Sequence, residues 1–236
     1  MLAHFAPLVG FLAWAWQPPA TQVPRPAGTL PSGAPAPTII DRPIAFDDRR
    51  KQLTIEYRRI HQDPDIDHIF IDPKVIILHY TAGSSGDGTF RYFNRTGMES
   101  GRKKLQQAGA VNVSAHFLVE RDGTIYRLMP ETWMARHCIG MNHVAIGVEN
   151  VGDGDKYPLT DAQVQANIAL VRYLSAKHDI SHLIGHQEYR DMEGTELFLE
   201  RDPEYRNRKS DPGMPFMDKV RAGVADLGLQ GPPAAQ

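Results

Sequence analysis

The run Val75–Tyr80 (VIILHY) constrains the fold more than any other stretch of this chain. It is apolar without alternation until His79, Pro73 precedes it, and the Gly/Ser-rich TAGSSGDG follows it. A strand that is apolar on both faces must be covered on both, as in the centre of a helix-flanked sheet. VAIGVENVG and HLIGH repeat the pattern, each a short apolar run that ends at a polar residue. VNVSAHFLVE and TIYRLMP flank Arg121-Asp122-Gly123 and predict a β-hairpin.

Helical signals lie between these runs. Asp47 or Asp48 caps a segment in which Leu53, Tyr57 and Ile60 share a face, and Pro64 ends it. A short helical stretch is expected around Phe90–Asn94. Thr160–His178 reads most clearly as a helix, with Thr160 and Gln163 as a capping box and Val164, Ile168, Val171 and Leu174 as an apolar stripe. Gln187–Pro212 reads as a long polar loop, and a closing helix is expected over Pro215–Leu227. Strands and helices mixed with a hairpin predict an α/β fold: a central mixed β-sheet flanked by helices.

Residues 1–16 are apolar, carry no acidic group, and are too few to span a bilayer comfortably. They read as an export signal with an A-x-A site at Ala13 and Ala15, although His4 is the only early cation. Residues 17–37, rich in Pro, Ala and Gly, read as an extended tether. The folded domain is expected over 38–228 and a disordered tail over 229–236. The protein is therefore expected outside the cytoplasm, periplasmic or secreted, with no stable membrane insertion after signal cleavage. A true start downstream of Trp16 would make it cytoplasmic instead.

A chain of 236 residues fits one domain of ordinary size plus a tail, and a monomer is expected. Its net charge of -2, without a long basic run, gives no electrostatic case for nucleic acid as the partner. Cys138 is the only cysteine, which excludes an intramolecular disulfide and a thiolate metal cluster. Any metal site must use His and carboxylates. His79 and His186 stand at the ends of apolar runs, where loops commonly form a crevice. Each alone has an ordinary reading as a hydrogen-bonded strand-end histidine. Asp211, in KSDPG, alone reads as a turn aspartate, and no pair among His79, His186 and Asp211 has the spacing of H-E-x-x-H; His182, four residues before His186, has it but reads as structural.

The ordered set says more. ILHYTAG around His79, SAHFLVERDGTIYRL, ARHCIG, HVAIGVENVG around Glu149, YPLTDAQ, LIGHQEYR around His186 and KSDPG around Asp211 occur in one order over Ile69–Val220. In this the chain resembles the type 2 N-acetylmuramoyl-L-alanine amidases, which are related to peptidoglycan recognition proteins and phage lysozyme-type amidases. The resemblance implies that fold, and hydrolysis of the amide between N-acetylmuramic acid and L-alanine in peptidoglycan or muropeptides. It also implies one zinc ion held by His79, His186 and Asp211. Two imidazoles and a carboxylate leave a fourth position for water, whose pKa zinc lowers to about 7.

By the same resemblance Glu149 is the catalytic acid–base, and Lys209 stabilises the oxyanion of the tetrahedral intermediate. His137 and Asn150 are expected to contact substrate in the groove, while His116 and His182 are read as structural. The charged segment Gln187–Lys209 is longer than in compact family members and is expected to wall one side of the groove. Two alternatives stand beside the amidase: a non-catalytic peptidoglycan-binding module on the same fold, and a zinc peptidase cutting within the stem peptide. Such a module usually lacks a ligand or the catalytic acid, and here all are present.

Overall fold

The computed structural model describes residues 36–234. The expected export signal and most of the tether, residues 1–35, lie outside the described residues, as do 235–236. Strands β1 (Ile39–Asp41), β2 (Val75–Tyr80), β3 (Phe117–Val119), β4 (Ile125–Arg127), β5 (Ala145–Asn150) and β6 (His182–Gly185) form one sheet in the order β1-β4-β3-β5-β2-β6. The hairpin pair β3–β4 is antiparallel and the other four pairings are parallel. The sheet is thus mixed, as expected. β2 lies between β5 and β6, and Val75, Ile76, Ile77 and Leu78 have no exposed surface.

Alternate residues of the central strands serve different layers. Ile76, Leu78, Ile146 and Val148 pack beneath α4 (Asp161–Lys177) and α5 (Met214–Gly223) with Val171, Leu174, Met217 and Val220. Val75, Ile77, Ala145 and Ile184 face Cys138, Met141, Tyr189 and Met192 on the other side. With a side-chain period of two, His79 and Glu149 continue this second face. Helix α4 starts at the predicted box: Gln163 N–H donates to Thr160 Oγ1 at 3.1 Å and Thr160 N–H to Gln163 Oε1 at 3.0 Å.

Helix α1 (Asp48–His61) is capped by Asp47, which accepts from Arg50 N–H at 2.8 Å. It buries Arg50, Leu53, Thr54, Tyr57, Arg58 and His61, a series spaced i, i+3, i+4, i+7, i+8 and i+11. Ile60 falls off that series and is 48% exposed, so it does not share the buried face with Leu53 and Tyr57. The short helix near Phe90 begins earlier than expected, as α2 (Gly86–Phe93) capped by Ser85. β1 and the one-turn α3 (Lys103–Gln107) carry too few apolar residues to have been read from the sequence.

The segment after His186 is not a solvated loop. A 3-10 helix covers His186–Met192, Tyr189 and Met192 are buried, and Leu197, Phe198 and Tyr205 pack against the same cluster. His61 Nδ1 lies 2.7 Å from Glu200 Oε1, with both side chains almost fully enclosed, and this pins the segment to α1. The expected closing helix divides into α5 and a 3-10 turn over Ala225–Leu227. The chain is still tied beyond residue 228: Leu183 N–H donates to the Gln230 carbonyl and Gln230 N–H to that of Ser181, both at 2.9 Å. Gln230 thereby pairs the outer edge of β6, which would otherwise be open. Among the described residues no helix is long and apolar enough to cross a membrane.

Candidate metal centre and its cavity

His79, His186 and Asp211 meet. His79 Nδ1 lies 2.8 Å from His186 Nδ1, and Asp211 Oδ2 lies 3.0 Å from His186 Nδ1 and 3.4 Å from His79 Nδ1. All three residues are buried, and they form the one group of three or more His, Cys, Asp or Glu among the described residues that could hold a metal ion. They stand in a cavity of about 500 Å³ that also borders Tyr80, Tyr92, Arg102, His137, Glu149 and Lys209.

Three different parts of the chain bring the ligands together. His79 is the fifth residue of β2, and its register partner on β5 is Glu149. His186 follows Gly185, the last residue of β6, which pairs with Leu78. The turn carrying His186 is clamped by Glu188: its Oε2 accepts from Gly185 N–H at 2.6 Å, and Arg221 of α5 binds both oxygens at 3.0 and 2.7 Å. Asp211 is reached through that same turn. Gln187 N–H donates to the Asp211 carbonyl at 2.8 Å, and Gly213 N–H donates to Gln187 Oε1 at 3.3 Å. A long insertion therefore does not leave Asp211 loose.

The electrostatics suit a bound cation. Burial favours a neutral Asp211, but the neighbouring imidazoles of His186 and His79 outweigh it and hold the carboxyl well below the usual range. Burial, then His79, lowers His186 to about 3 against the pull of Asp211. Glu149 is the opposite case. Burial and then the negative Asp211 push its carboxyl well above the ordinary value, with Lys209 opposing. Its Oε2 is shielded from solvent and has no hydrogen-bond partner among the described residues. An unpaired buried carboxylate oxygen is costly, so this position favours a proton or a reacting partner over a bare charge.

The remaining expected residues separate. Lys209 borders the cavity, and Tyr80 Oη and Ser210 Oγ, 3.3 Å apart, hold its segment against the end of β2. His137 borders the cavity with both ring nitrogens near protein atoms. Asn150 does not border it. Fully buried on the α4 side, Asn150 donates from its amide to the His79 carbonyl at 3.0 Å and accepts from Asn167 at 2.6 Å. The expected substrate contact by Asn150 is corrected to support of the His79 backbone, because residues 149 and 150 must face opposite sides of a strand.

His116 is enclosed: Nδ1 accepts from Gly147 N–H at 3.0 Å and Nε2 donates to the Trp133 carbonyl at 2.8 Å, while burial lowers its pKa to about 4. His182 lies at the opposite end of β6 from His186 and outside the cluster. Sequence reasoning missed Glu188 and Arg221. Of these only Glu188 carried a local signal, an acid three residues into a turn, where it can accept from the first N–H.

Known proteins resemble this chain in sequence and in fold. The profile of the N-acetylmuramoyl-L-alanine amidase family (Amidase_2) matches residues 70–214. The endolysin of Escherichia phage T7 is 34% identical over 97 residues, which are 39% of this chain and 64% of that protein. The endolysin of Enterobacteria phage T3 matches with the same figures. The chain thus spans 64% of the length of these phage relatives. Among solved structures, the endolysin N-acetylmuramoyl-L-alanine amidase LysCS from Clostridium intestinale URNW superposes with a TM-score of 0.51 at 22% identity, covering 84% of this chain and 100% of that one. That likeness shows a shared fold. The family profile takes in more than half of the sequence, with His79, Glu149, His186 and Asp211 all inside it, and the protein belongs to the N-acetylmuramoyl-L-alanine amidase family.

Proposed function

We infer that this protein is a zinc-dependent hydrolase of the amide between N-acetylmuramic acid and L-alanine in peptidoglycan or its fragments. The observation that carries this is the register pairing of His79 with Glu149, which sets an unpartnered carboxyl beside the three-residue metal group in one cavity. Family membership supports the choice of bond.

The residues fit the ion. Two imidazoles and a carboxylate are a donor set that zinc accepts, and here the three offer donor atoms only 2.8, 3.0 and 3.4 Å apart. His79, His186 and Asp211 would hold it and leave one position open. When bound, zinc polarises the scissile carbonyl and makes water acidic enough to attack near neutral pH. Glu149 accepts the proton released by the attacking water and returns it to the amine nitrogen of the departing L-alanine. Lys209 donates to the carbonyl oxygen as it gains negative charge; such a donor is worth roughly 2.7–4 kcal/mol. Neither role suits a pure binding module, which has no use for a buried unpartnered carboxyl.

Metal dependence gives the test. Stripping the protein with a chelator is expected to abolish solubilisation of purified sacculi, and about one equivalent of zinc, not magnesium, to restore it. Full activity of protein shown to be metal-free would refute the zinc assignment.

A further inference from the structure

We propose that His137 is a positioning residue for His79: it accepts the Nε2 proton of that imidazole and so leaves Nδ1 bare for the metal. This rests on the zinc reading above. His79 Nδ1 faces His186 and Asp211, whereas His79 Nε2 lies 3.0 Å from His137 Nδ1. The direction of the bond follows from the next link. His137 Nε2 lies 3.3 Å from the carbonyl of Ala145, and a carbonyl only accepts. His137 therefore carries its proton on Nε2 and presents a lone pair at Nδ1. His79 must donate from Nε2, and its own lone pair is on Nδ1, the atom aimed at the other two ligands. Remote-nitrogen partners of this kind fix the tautomer and ring orientation of metal-bound histidines.

The surroundings hold the His137 ring for this purpose. Gly147 of β5 lies directly against it: a Cβ there would come within 2.7 Å of the ring. Asn142 Oδ1 accepts from the N–H groups of both His137 and Cys138 at 2.8 Å, which sets the backbone angle from which the ring leaves. The two rings meet at 86° with centroids 5.1 Å apart, an edge-on approach that lines a nitrogen of one with a nitrogen of the other. With both nitrogens committed, His137 has only ring carbons to offer the cavity. The substrate contact expected from the sequence gives way to support of a ligand.

His137→Leu and His137→Asn separate the alternatives, with zinc affinity read by competition against a chromogenic chelator and thermal stability read on metal-free protein. His137→Leu removes the acceptor and is expected to raise the zinc Kd by about 10–100-fold. His137→Asn supplies an amide oxygen near the former Nδ1 and is expected to recover most of that loss. Gly147→Ala, which displaces the ring and keeps the histidine, should weaken zinc binding in the same sense and serves if His137→Leu does not fold.

Wild-type zinc affinity in all three variants would overturn the proposal. So would equal weakening by Leu and Asn in step with lost metal-free stability, or a raised KM with an unchanged zinc Kd. If the wild-type protein itself takes up no zinc, the functional reading fails and this proposal with it. One bound zinc that is indifferent to position 137 sinks the proposal alone.

Discussion

Glu149→Gln is expected to lower kcat on peptidoglycan by about 10²–10⁴-fold while zinc content and KM stay near wild type. The substitution keeps the size and shape of the side chain and removes its ability to take a proton. Nothing structural depends on the lost charge, because Glu149 Oε2 bonds to no described residue and burial already disfavours the ionised form. A bound divalent cation would supply the opposite field and draw the carboxyl toward ionisation, which suits a group that must both accept and return a proton. The loss should therefore fall on turnover rather than on binding. Single-turnover and steady-state assays on a soluble muropeptide, with metal content measured on the same sample, decide it. A loss of less than tenfold, or a loss that follows departure of zinc, would remove Glu149 from the proton-transfer role.

Asp211→Ala should produce the other large effect by a different route. It removes one corner of the ligand triangle and leaves two enclosed imidazoles without the carboxylate that both approach. Zinc affinity is expected to fall by more than the roughly 10–100-fold typical of an outer-shell partner, and activity to fall to background. The fold should survive, because the segment is anchored by the Asp211 backbone carbonyl on Gln187 N–H and not by the side chain. Unchanged circular dichroism with lost zinc binding is thus the predicted signature. Retention of stoichiometric, tight zinc would show that Asp211 is not a ligand. In that case Glu149, the other carboxyl that lines the cavity, would have to be reconsidered.

The two substitutions also mark what could be read from residues alone. The unbroken apolar run of β2 declares a central strand, and the capping box declares the start of α4, because both signals are local. The position of His79 at a strand end is local as well. Its pairing with Glu149 is not: register between β2 and β5 depends on two segments far apart in the chain. The family resemblance implied only that the two serve one site; their pairing belongs to the fold.

Asn150 shows a local rule left unused, since a residue next to an inward-facing Glu149 on a strand must point away. The segment after His186 hid its anchors among charges: Tyr189, Met192, Phe198 and Tyr205 follow no helical or strand period, so no pattern announced that they pack. The clamp of Arg221 on Glu188 joins α5 to the His186 turn, and the ring of His137, which lies outside the strands, rests against a glycine of β5. Such contacts appear only once the chain is folded.

The central claim concerns one bond, and product analysis tests it most directly. Purified sacculi digested by the zinc-loaded protein should release stem peptides with a free amino terminus on L-alanine, leaving glycan strands that carry unsubstituted muramic acid lactyl groups. Mass analysis of both fractions reads this without ambiguity. Release of peptides cut between stem residues, with L-alanine still joined to muramic acid, would contradict the account, as would sacculi that bind the zinc-loaded protein and remain intact.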